Sequence, residues 1–534
     1  MTDVRELHAA TSHAPDDVHA ADVRDPATRP PSTKRYRDRP FVAFEGIAPP
    51  WDPALSLLTE TRTDPLAGTS STERESIDVE TVATLCYEAM GITNEIDSDG
   101  QEHRFRAASC TGKLYHVECY VVCEALPGLE AGVYHFDPAG FGLDVLRRGD
   151  YRGVLAEAVG DSSTGDDPAT RVSTAPVTVV TTSVWWRNAW KYADRTYRHA
   201  FWDSGTVLAN LLACAHGLSL PAGVVTGFAA DPVVDLLGLD PETEGTTAMV
   251  PIGEGSPIEG MTSAESTDSL VEPDDPSVEP IDPARVPESS GSVPVSNIAD
   301  AWDASTLEDG EAATNWRRRV RESRGIGRVS AGSGRRIDLE PVDHETASAR
   351  PLHPVVVRRG SCRTYATDGP SRRQVATVLD RATRGIPGDW NGGDSEHLAF
   401  LDVYVLCTAV DGIPDGSYHY HPGENELERL GAVDVETKTH VALDQSWAGD
   451  GHVNVYLLAD VDRIVGTLGN RGYRLAQLEA GLTLGRLYLA TYAHRTLGGL
   501  GLTFYDDPVT AHLSPRAADQ NPMTLFAFGR KSVE

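Results

Sequence analysis

The segment Gly132–Pro138 reads GVYHFDP and the segment Gly416–Pro422 reads GSYHYHP, so Gly, Tyr, His and Pro recur at one offset, 416 − 132 = 284. Upstream, at the same offset, Glu118-Cys119-Tyr120-Val121 faces Asp402-Val403-Tyr404-Val405, and downstream Leu143 and Leu146 fall on Leu427 and Leu430. The offset then drops to 276, where RTYR (Arg195 to Arg198) meets RGYR (Arg471 to Arg474). Gly205 meets Gly481, Asp231-Pro232 meets Asp507-Pro508, and Gly253 meets Gly529. The chain reads as a duplicated domain. Two copies need not keep the same residues, so what each has lost points to where function sits.

At 534 residues the chain is too long for one hydrophobic core and suits two domains of about 200 residues each with linkers. The formal net charge is −32, and of 47 basic residues only five are Lys, at positions 34, 113, 191, 438 and 531. Such an excess of carboxylates with so little Lys looks like the proteome of an extreme halophile, where an acidic surface holds water at high salt. It also argues against nucleic-acid binding, which needs a basic footprint. Seven Cys without a CxxC pair read as reduced thiols, so neither a disulfide framework nor a metal site is expected. With no run of 18 apolar residues and no basic-then-apolar N-terminus, a soluble cytoplasmic protein without a membrane partner is expected.

Residues 1–75 are polar, rich in Asp, Pro and Thr, and read as an extended arm. Glu80 to Gly91 and Val375 to Gly385 carry apolar residues at helical spacing and stop at Gly, as equivalent first helices. Buried strands follow at His116 to Glu124 and Ala399 to Thr408, each leading through the Gly-x-Tyr-His turn into a second strand. A third strand, Val177 to Val184 or Val453 to Ala459, leads to a long helix, Ala200 to His216 or Leu475 to His494. Its small and apolar residues suit burial on most sides. Terminal strands are expected at Ala248 to Ile252 and Thr524 to Phe528. Helices around a mainly antiparallel sheet make an α+β class. The domains are then 76–253 and 346–534, separated by an acidic linker, 254–345, with a short helical part.

Three local features could carry chemistry. In the second copy, Arg358-Arg359-Gly360-Ser361-Cys362-Arg363 precedes the first helix, and guanidinium groups flanking a hydroxyl suit a phosphate. An ordinary Arg-containing surface turn is the bland alternative. The first copy has TETRTDPLAG (Thr59 to Gly68) there, with nothing equivalent. The first copy has instead Arg106-Ala107-Ala108-Ser109-Cys110-Thr111-Gly112, a small-residue turn that lets backbone approach a flat ligand. The second copy places Gly393 opposite Ser109 and Glu396 opposite Gly112, and an ordinary loop remains the alternative. Finally, Trp190-Lys191-Tyr192 faces Gly466-Thr467-Leu468. A Lys beside a Tyr can relay a proton, or can simply snorkel over aromatic rings. Arg530 and Lys531 follow the last strand, where the first copy has Glu254 and Gly255; such basic residues are usually just solvated.

Taken together these residues resemble the flavin-dependent nitroreductase superfamily and, within it, the SagB/ThcOx type of peptide azoline dehydrogenase. The resemblance rests on the Ser-x-x-Gly-x-x-Tyr run into HVECYVV and on the GVYHFDP turn. Added to these are the Lys-Tyr-x-x-Arg-x-Tyr-Arg segment, GLSLPAGVVTGF (Gly217 to Phe228), Arg-Gly-Ser-Cys-Arg (Arg359 to Arg363) and ELHAAT (Glu6 to Thr11). It implies a tandem-duplicated, intramolecular pseudo-dimer with FMN in the interface. Arg359, Ser361 and Arg363 would hold the FMN phosphate and ribityl, helped by Arg530 or Lys531, while Ser109, Thr111 and Gly112 approach from the first copy. The counterpart site lacks these elements, so about one FMN per chain is implied. Lys191 and Tyr192 resemble the pair that acts on substrate in azoline-oxidising relatives. One departure is that Val224 to Gly227, which resemble flavin contacts, meet Leu500 to Thr503, so Thr503 replaces Gly.

On this resemblance the chain is an oxidoreductase that takes a proton from a thiazoline or oxazoline ring in a peptide while hydride passes to flavin N5, with a cyclodehydratase as a possible partner. Two further readings stay open: a nitro- or quinone-reductase using NAD(P)H, and a flavin-free scaffold of a peptide-modifying complex. A small-molecule or peptide substrate and a pseudo-dimeric monomer that can associate further are common to the enzymatic readings.

Overall fold

In the computed structural model the described residues are 3–16, 28–37, 39–58, 77–98, 101–160, 168–255, 278–279, 281, 295–330, 332–343, 350–391 and 397–532. Thr59 to Gly68 and Gly393 to Glu396 lie outside them.

The first half is built on a six-stranded antiparallel sheet. Its order is Phe41–Ala43, Gly142–Arg148, Gly132–Asp137, Val117–Cys123, Val177–Val184, Glu244–Ile252. The second half repeats that order: Arg336–Asp338, Glu426–Gly431, Gly416–His421, Asp402–Cys407, Val453–Ala459, Asn521–Arg530, with Leu497–Leu502 added at the far edge. In the first half, bridges Val225↔Met249 and Ala222↔Ile252 occupy the place of that last strand. Val117–Cys123 and Val177–Val184 are buried at every position. Both faces are covered, which is why their sequences run apolar or β-branched without alternation.

Helices begin where the sequence provides caps. Asp78 accepts from the Thr81 amide at the start of Val79–Met90, and Ser371 with Gln374 closes a capping box on Arg372–Thr383. The long helices are Thr196–Gly217 and Asn470–Ala493, both buried almost throughout. They pack on each other, and a Cβ on Gly205 would lie 2.3 Å from the backbone of Gly481 and Leu482. A Cβ on Gly481 would meet the Trp202 carbonyl at 2.5 Å. Gly205 and Gly481 are the pair that the repeat aligns, and so are Tyr197 and Tyr473, whose rings stack 6.2 Å apart and 2° from parallel. Equivalent residues touching one another place an approximate two-fold axis between the helices.

The repeated Arg-x-Tyr-Arg motif clasps the halves. Arg198 donates to Asp506 Oδ1 (2.6 Å) and Arg195 to Asp506 Oδ2 (3.1 Å). In the opposite direction Arg474 donates to the Thr246 carbonyl (2.7 Å) and Arg471 to the Thr226 carbonyl (2.9 Å).

Two segments differ from expectation. The N-terminal arm is not extended throughout: Val4–Ala10 is a helix pinned by Arg198 through Thr11 Oγ1 (3.1 Å), and Phe41–Ala43 extends the first sheet. Asp3 caps that helix, a signal present in the sequence. The acidic connection is also more structured than its composition suggests. It carries helices Ser296–Asp303 and Gly310–Glu322, which bury Trp302 and Trp316. Two buried indoles contribute on the order of 3–5 kcal/mol each against truncation, enough to hold short helices in place.

Candidate functional site

The approximate two-fold axis gives two seams where one half meets the other, and their contents differ. In the first seam the Ser109 turn faces the Arg359 turn. Asp203, buried in the first central helix, shapes the Ser109 turn by accepting from the Thr111 amide (2.8 Å), Thr111 Oγ1 (2.9 Å) and Cys110 Sγ (3.1 Å). His116 Nε2 lies 2.7 Å from the same carboxylate, and its Nδ1 lies 2.8 Å from Ser183 Oγ. Burial, then the Asp203 charge, raises the Cys110 thiol well above its ordinary range, so it stays protonated. Gly112 takes φ +65°, and a Cβ there would lie 2.6 Å from the Tyr192 hydroxyl. Glycine at that point lets Tyr192 lie against the turn.

From the second half, Arg359 donates to the carbonyls of Ala107 (2.9 Å) and Arg106 (2.8 Å), and its guanidinium sits over the Tyr488 ring. Arg359 thus ties the two turns together. Tyr488 also reaches the Ser109 side chain and accepts from the Gly501 amide at 2.6 Å. A small cavity beneath the Ser109 turn is lined by Met90, Ala108, Cys110, Val117 and Val207. Its free volume of about 10 Å³ suits a single water, so a flat ring would lie outside it along the seam.

The remaining expected residues divide. Ser361 is exposed beside Gly360, where an added Cβ would meet nothing within 4 Å. Arg363 is exposed and lies over Trp447 (4.8 Å). Arg530 is ion-paired with Asp368. Lys531 packs over Tyr492, and its aliphatic chain and Cys362 would both lie 2.8 Å from a Cβ on Gly498. Burial lowers the Lys531 pKa, and Arg358 and Arg350 lower it further. Arg350 is lowered by burial, Arg358 and Arg495. Among the described residues no carboxylate pairs with Arg358, Arg363 or Lys531. In a chain of net charge −32, this gathering of unneutralised cations beside an open turn suits a phosphate. Arg358 opens the run that motif reading singled out, whereas Arg350 was missed, because only the tertiary structure brings it beside Lys531.

Lys191 and Tyr192 line the first-half wall of this seam. The Lys191 ammonium lies 5.1 Å from the Tyr192 ring centre, and Tyr192 packs edge-on against His199 (4.8 Å). Burial, then Asp203 and Cys110, raises the Tyr192 pKa, so the phenol keeps its proton. Burial, then Arg29, lowers that of Lys191. The pair therefore offers a donor in Tyr192 and a base in Lys191.

Among the described residues the second seam is packed by the chain itself. Val224, Thr226 and Gly227 meet the segment 387–390: the Val224 amide donates to the Pro387 carbonyl (2.8 Å). Buried Asp389 accepts from the amides of Thr226 (2.8 Å) and Gly227 (2.7 Å) and from Thr226 Oγ1 (2.8 Å). Arg317 donates to the Gly227 carbonyl (2.6 Å), and a Cβ on Gly227 would strike its side chain at 2.4 Å. Asp389 was not anticipated, although an acid in the apolar run Ile386 to Trp390 is a visible signal.

Two groups have metal-ligand chemistry among the described residues, Cys110–His116–Asp203 and His419–His421–Glu428. The first is the network holding the Ser109 turn. In the second, Glu428 accepts from Arg516 (2.7 Å) and from the Gly332 and Gly334 amides (3.2 and 2.9 Å).

Residues 143–254 match the nitroreductase family. A protein of Methanocaldococcus jannaschii named as a nitroreductase is 26% identical over 192 residues, 34% of this chain and 91% of that one. A solved structure from Anabaena variabilis, also described as a nitroreductase, is similar over 100% of both chains with a TM-score of 0.70 at 20% identity. Residues 143–254 thus carry a nitroreductase-family match, within a mixed helix and antiparallel-sheet fold that the chain shares over its whole length with that structure.

Proposed function

We propose that this chain is an FMN-dependent oxidoreductase with about one flavin per chain, held in the open seam, and that its two halves descend from one duplicated domain. The observation that carries this reading is the contrast between seams: one offers an open, cationic turn facing a small-residue turn, the other is filled by Asp389 and Arg317. Room beside Gly360 and the unneutralised Arg358, Lys531 and Arg350 fit a ribityl phosphate. Ser361 and Arg363 would assist, and the Ser109–Thr111–Gly112 backbone would border the ring. Arg359 acts by fixing the two turns relative to each other. Arg530, already paired with Asp368, is the weakest member of the expected set.

Bound FMN would supply a two-electron hydride acceptor. The chain supplies orientation and proton handling: Tyr192 donates a hydrogen bond to a substrate heteroatom, and Lys191 takes a proton from the ring carbon next to the one that gives up hydride, so that a C=C bond forms between them. An azoline ring in a peptide, acidified next to its C=N group, suits that pair, which favours the SagB-type reading and a cyclodehydratase partner. The nitro- or quinone-reductase reading is favoured by the Methanocaldococcus jannaschii similarity instead.

The test is direct. Protein purified in molar salt should be yellow and release about one FMN per chain, and a colourless preparation that takes up no FMN removes both enzymatic readings in favour of a scaffold. Lys191→Ala should keep the colour and slow azoline oxidation by about 10²–10⁴-fold. Equal turnover would take Lys191 out of the mechanism.

A further inference from the structure

Five lysines occur in the chain, and their places are uneven. Lys34 and Lys438 are buried and bonded, Lys34 to Glu244 and Tyr120, Lys438 to Thr408. The other three, Lys113, Lys191 and Lys531, border the same seam. Lys531 belongs with the cations assigned above to a phosphate. Lys113 and Lys191 stand on the opposite wall, with no such assignment for Lys113.

Lys113 follows Gly112 directly and is exposed, with its ammonium 4.8 Å from the Phe105 ring centre. Its φ of +59° is left-handed, a conformation in which Gly or Asn is the usual residue. The arm adds a third cation. Trp190 Nε1 donates to Thr28 Oγ1 (3.0 Å), Arg106 donates to the Ser32 carbonyl, and Arg29 between them reaches the Lys113 carbonyl at 3.5 Å. Arg29 is also near enough to Lys191 to disfavour its charge. Among the described residues no carboxylate pairs with Arg29, Lys113 or Lys191. Arg29 thus stands between the Lys113 backbone and Lys191 on a strongly acidic chain, and an anion beside it would offset the charge these residues bring to the wall.

Resting on the flavin-site reading, we propose that the substrate of this seam carries an anionic oxygen group, carboxylate or phosphate, held by Arg29 and Lys113 at the edge of the Lys191–Tyr192 wall. The arm then completes the substrate pocket, and a neutral substrate of the same ring size is discriminated against because it leaves these cations unneutralised.

The probe pair is 1,4-naphthoquinone and its 2-sulfonate, with the full chain as purified. Equilibrium dialysis, which needs no turnover, should show the sulfonate bound about tenfold more tightly, the scale of one charge-assisted contact. Arg29→Gln with Lys113→Gln should bring the two probes to within about twofold, leaving naphthoquinone binding unchanged. Equal affinity for the two probes in the unaltered protein, or a preference that survives both substitutions, overturns the proposal. Displacement of the sulfonate by N-acetyl-glutamate would identify a carboxylate as the natural group, displacement by NADPH a phosphate; displacement by neither counts against the site. Flavin content is read separately, so a protein without FMN that still prefers the sulfonate would keep the anion site and reject the flavin reading.

Discussion

Among the described residues, the two seams between the halves are held in different ways: one leaves an exposed cationic turn, the other is packed around a buried carboxylate. In the open seam the contact between halves is made at one side by Arg359, whose two hydrogen bonds end on backbone carbonyls of the Ser109 turn. The other seam is closed at its centre, where Asp389 satisfies two buried amides and a hydroxyl. A buried carboxylate with that many donors is a fixed structural element, whereas cations with no carboxylate partner among the described residues remain available to a ligand. Nearly symmetric backbone therefore gives unlike chemistry through a handful of side chains.

The largest effect expected from breaking this arrangement is on what the seams share. Gly481→Val puts a side chain 2.5 Å from the Trp202 carbonyl, where only backbone could yield. The central helices must separate, at a cost above about 3 kcal/mol, and the midpoint of urea unfolding should fall sharply or the chain should not accumulate in soluble form. A midpoint equal to that of the unaltered chain would show that the glycine contact does not hold the halves together.

Substitution in the filled seam comes next. Asp389→Ala strands the Thr226 and Gly227 amides, costing about 2–4 kcal/mol by loss of charge-assisted bonds in a buried place. Flavin content should stay at its original value, and a second equivalent of flavin, or loss of the first, would contradict the separation of the two seams. Arg359→Ala should have the reverse profile. Stability falls by only about 1–3 kcal/mol, while FMN affinity falls by more than tenfold because the turns lose their relative placement, as read by FMN release on dilution.

The smallest effect is a pH dependence of the arm. Burial, then Arg195, lowers the His13 pKa from 6.5 to about 4, and the His13 amide donates to Asp506 Oδ2 at 2.8 Å. A depressed histidine binds its proton more readily unfolded than folded. The stability it contributes is therefore fully present above pH 6.5 and lost as pH falls toward 4. Amide exchange in Val4–Ala10 should speed up across that window, and His13→Asn should flatten the dependence. The Asp506 carboxyl, opposed by burial but held down by Arg198 and Arg195, keeps its charge throughout this range.

Much of the architecture was legible before any coordinates. The helix expected at Glu80 to Gly91 is Val79–Met90, the strand expected at Val177 to Val184 has those bounds, and the long helices start a few residues earlier than expected, at Thr196 and Asn470. Apolar period and terminal glycine carry that information locally. The arm was misjudged because Val4 and Leu7, two apolar residues on one face, become a helix only when covered; here Arg195 and Arg198 hold the following Thr11. In the candidate site, the sequence pointed to Ser109, Thr111 and Gly112 and to the Arg359 turn. It had no means of showing that Arg359 would spend its guanidinium on carbonyls or that Arg350 and Arg358 would gather around Lys531.

By itself the sequence determined the α+β class, the repeat, the acidic surface and the few positions where one copy keeps what the other lacks. These are properties of composition and spacing, readable one segment at a time. Only the tertiary structure decided how each seam is held, because that depends on residues 106 and 359, or 226 and 389, meeting across more than 150 positions of chain. Whether a charged side chain is free for a ligand or committed to the fold is set by what lies opposite it. No local pattern of residue types encodes that partner.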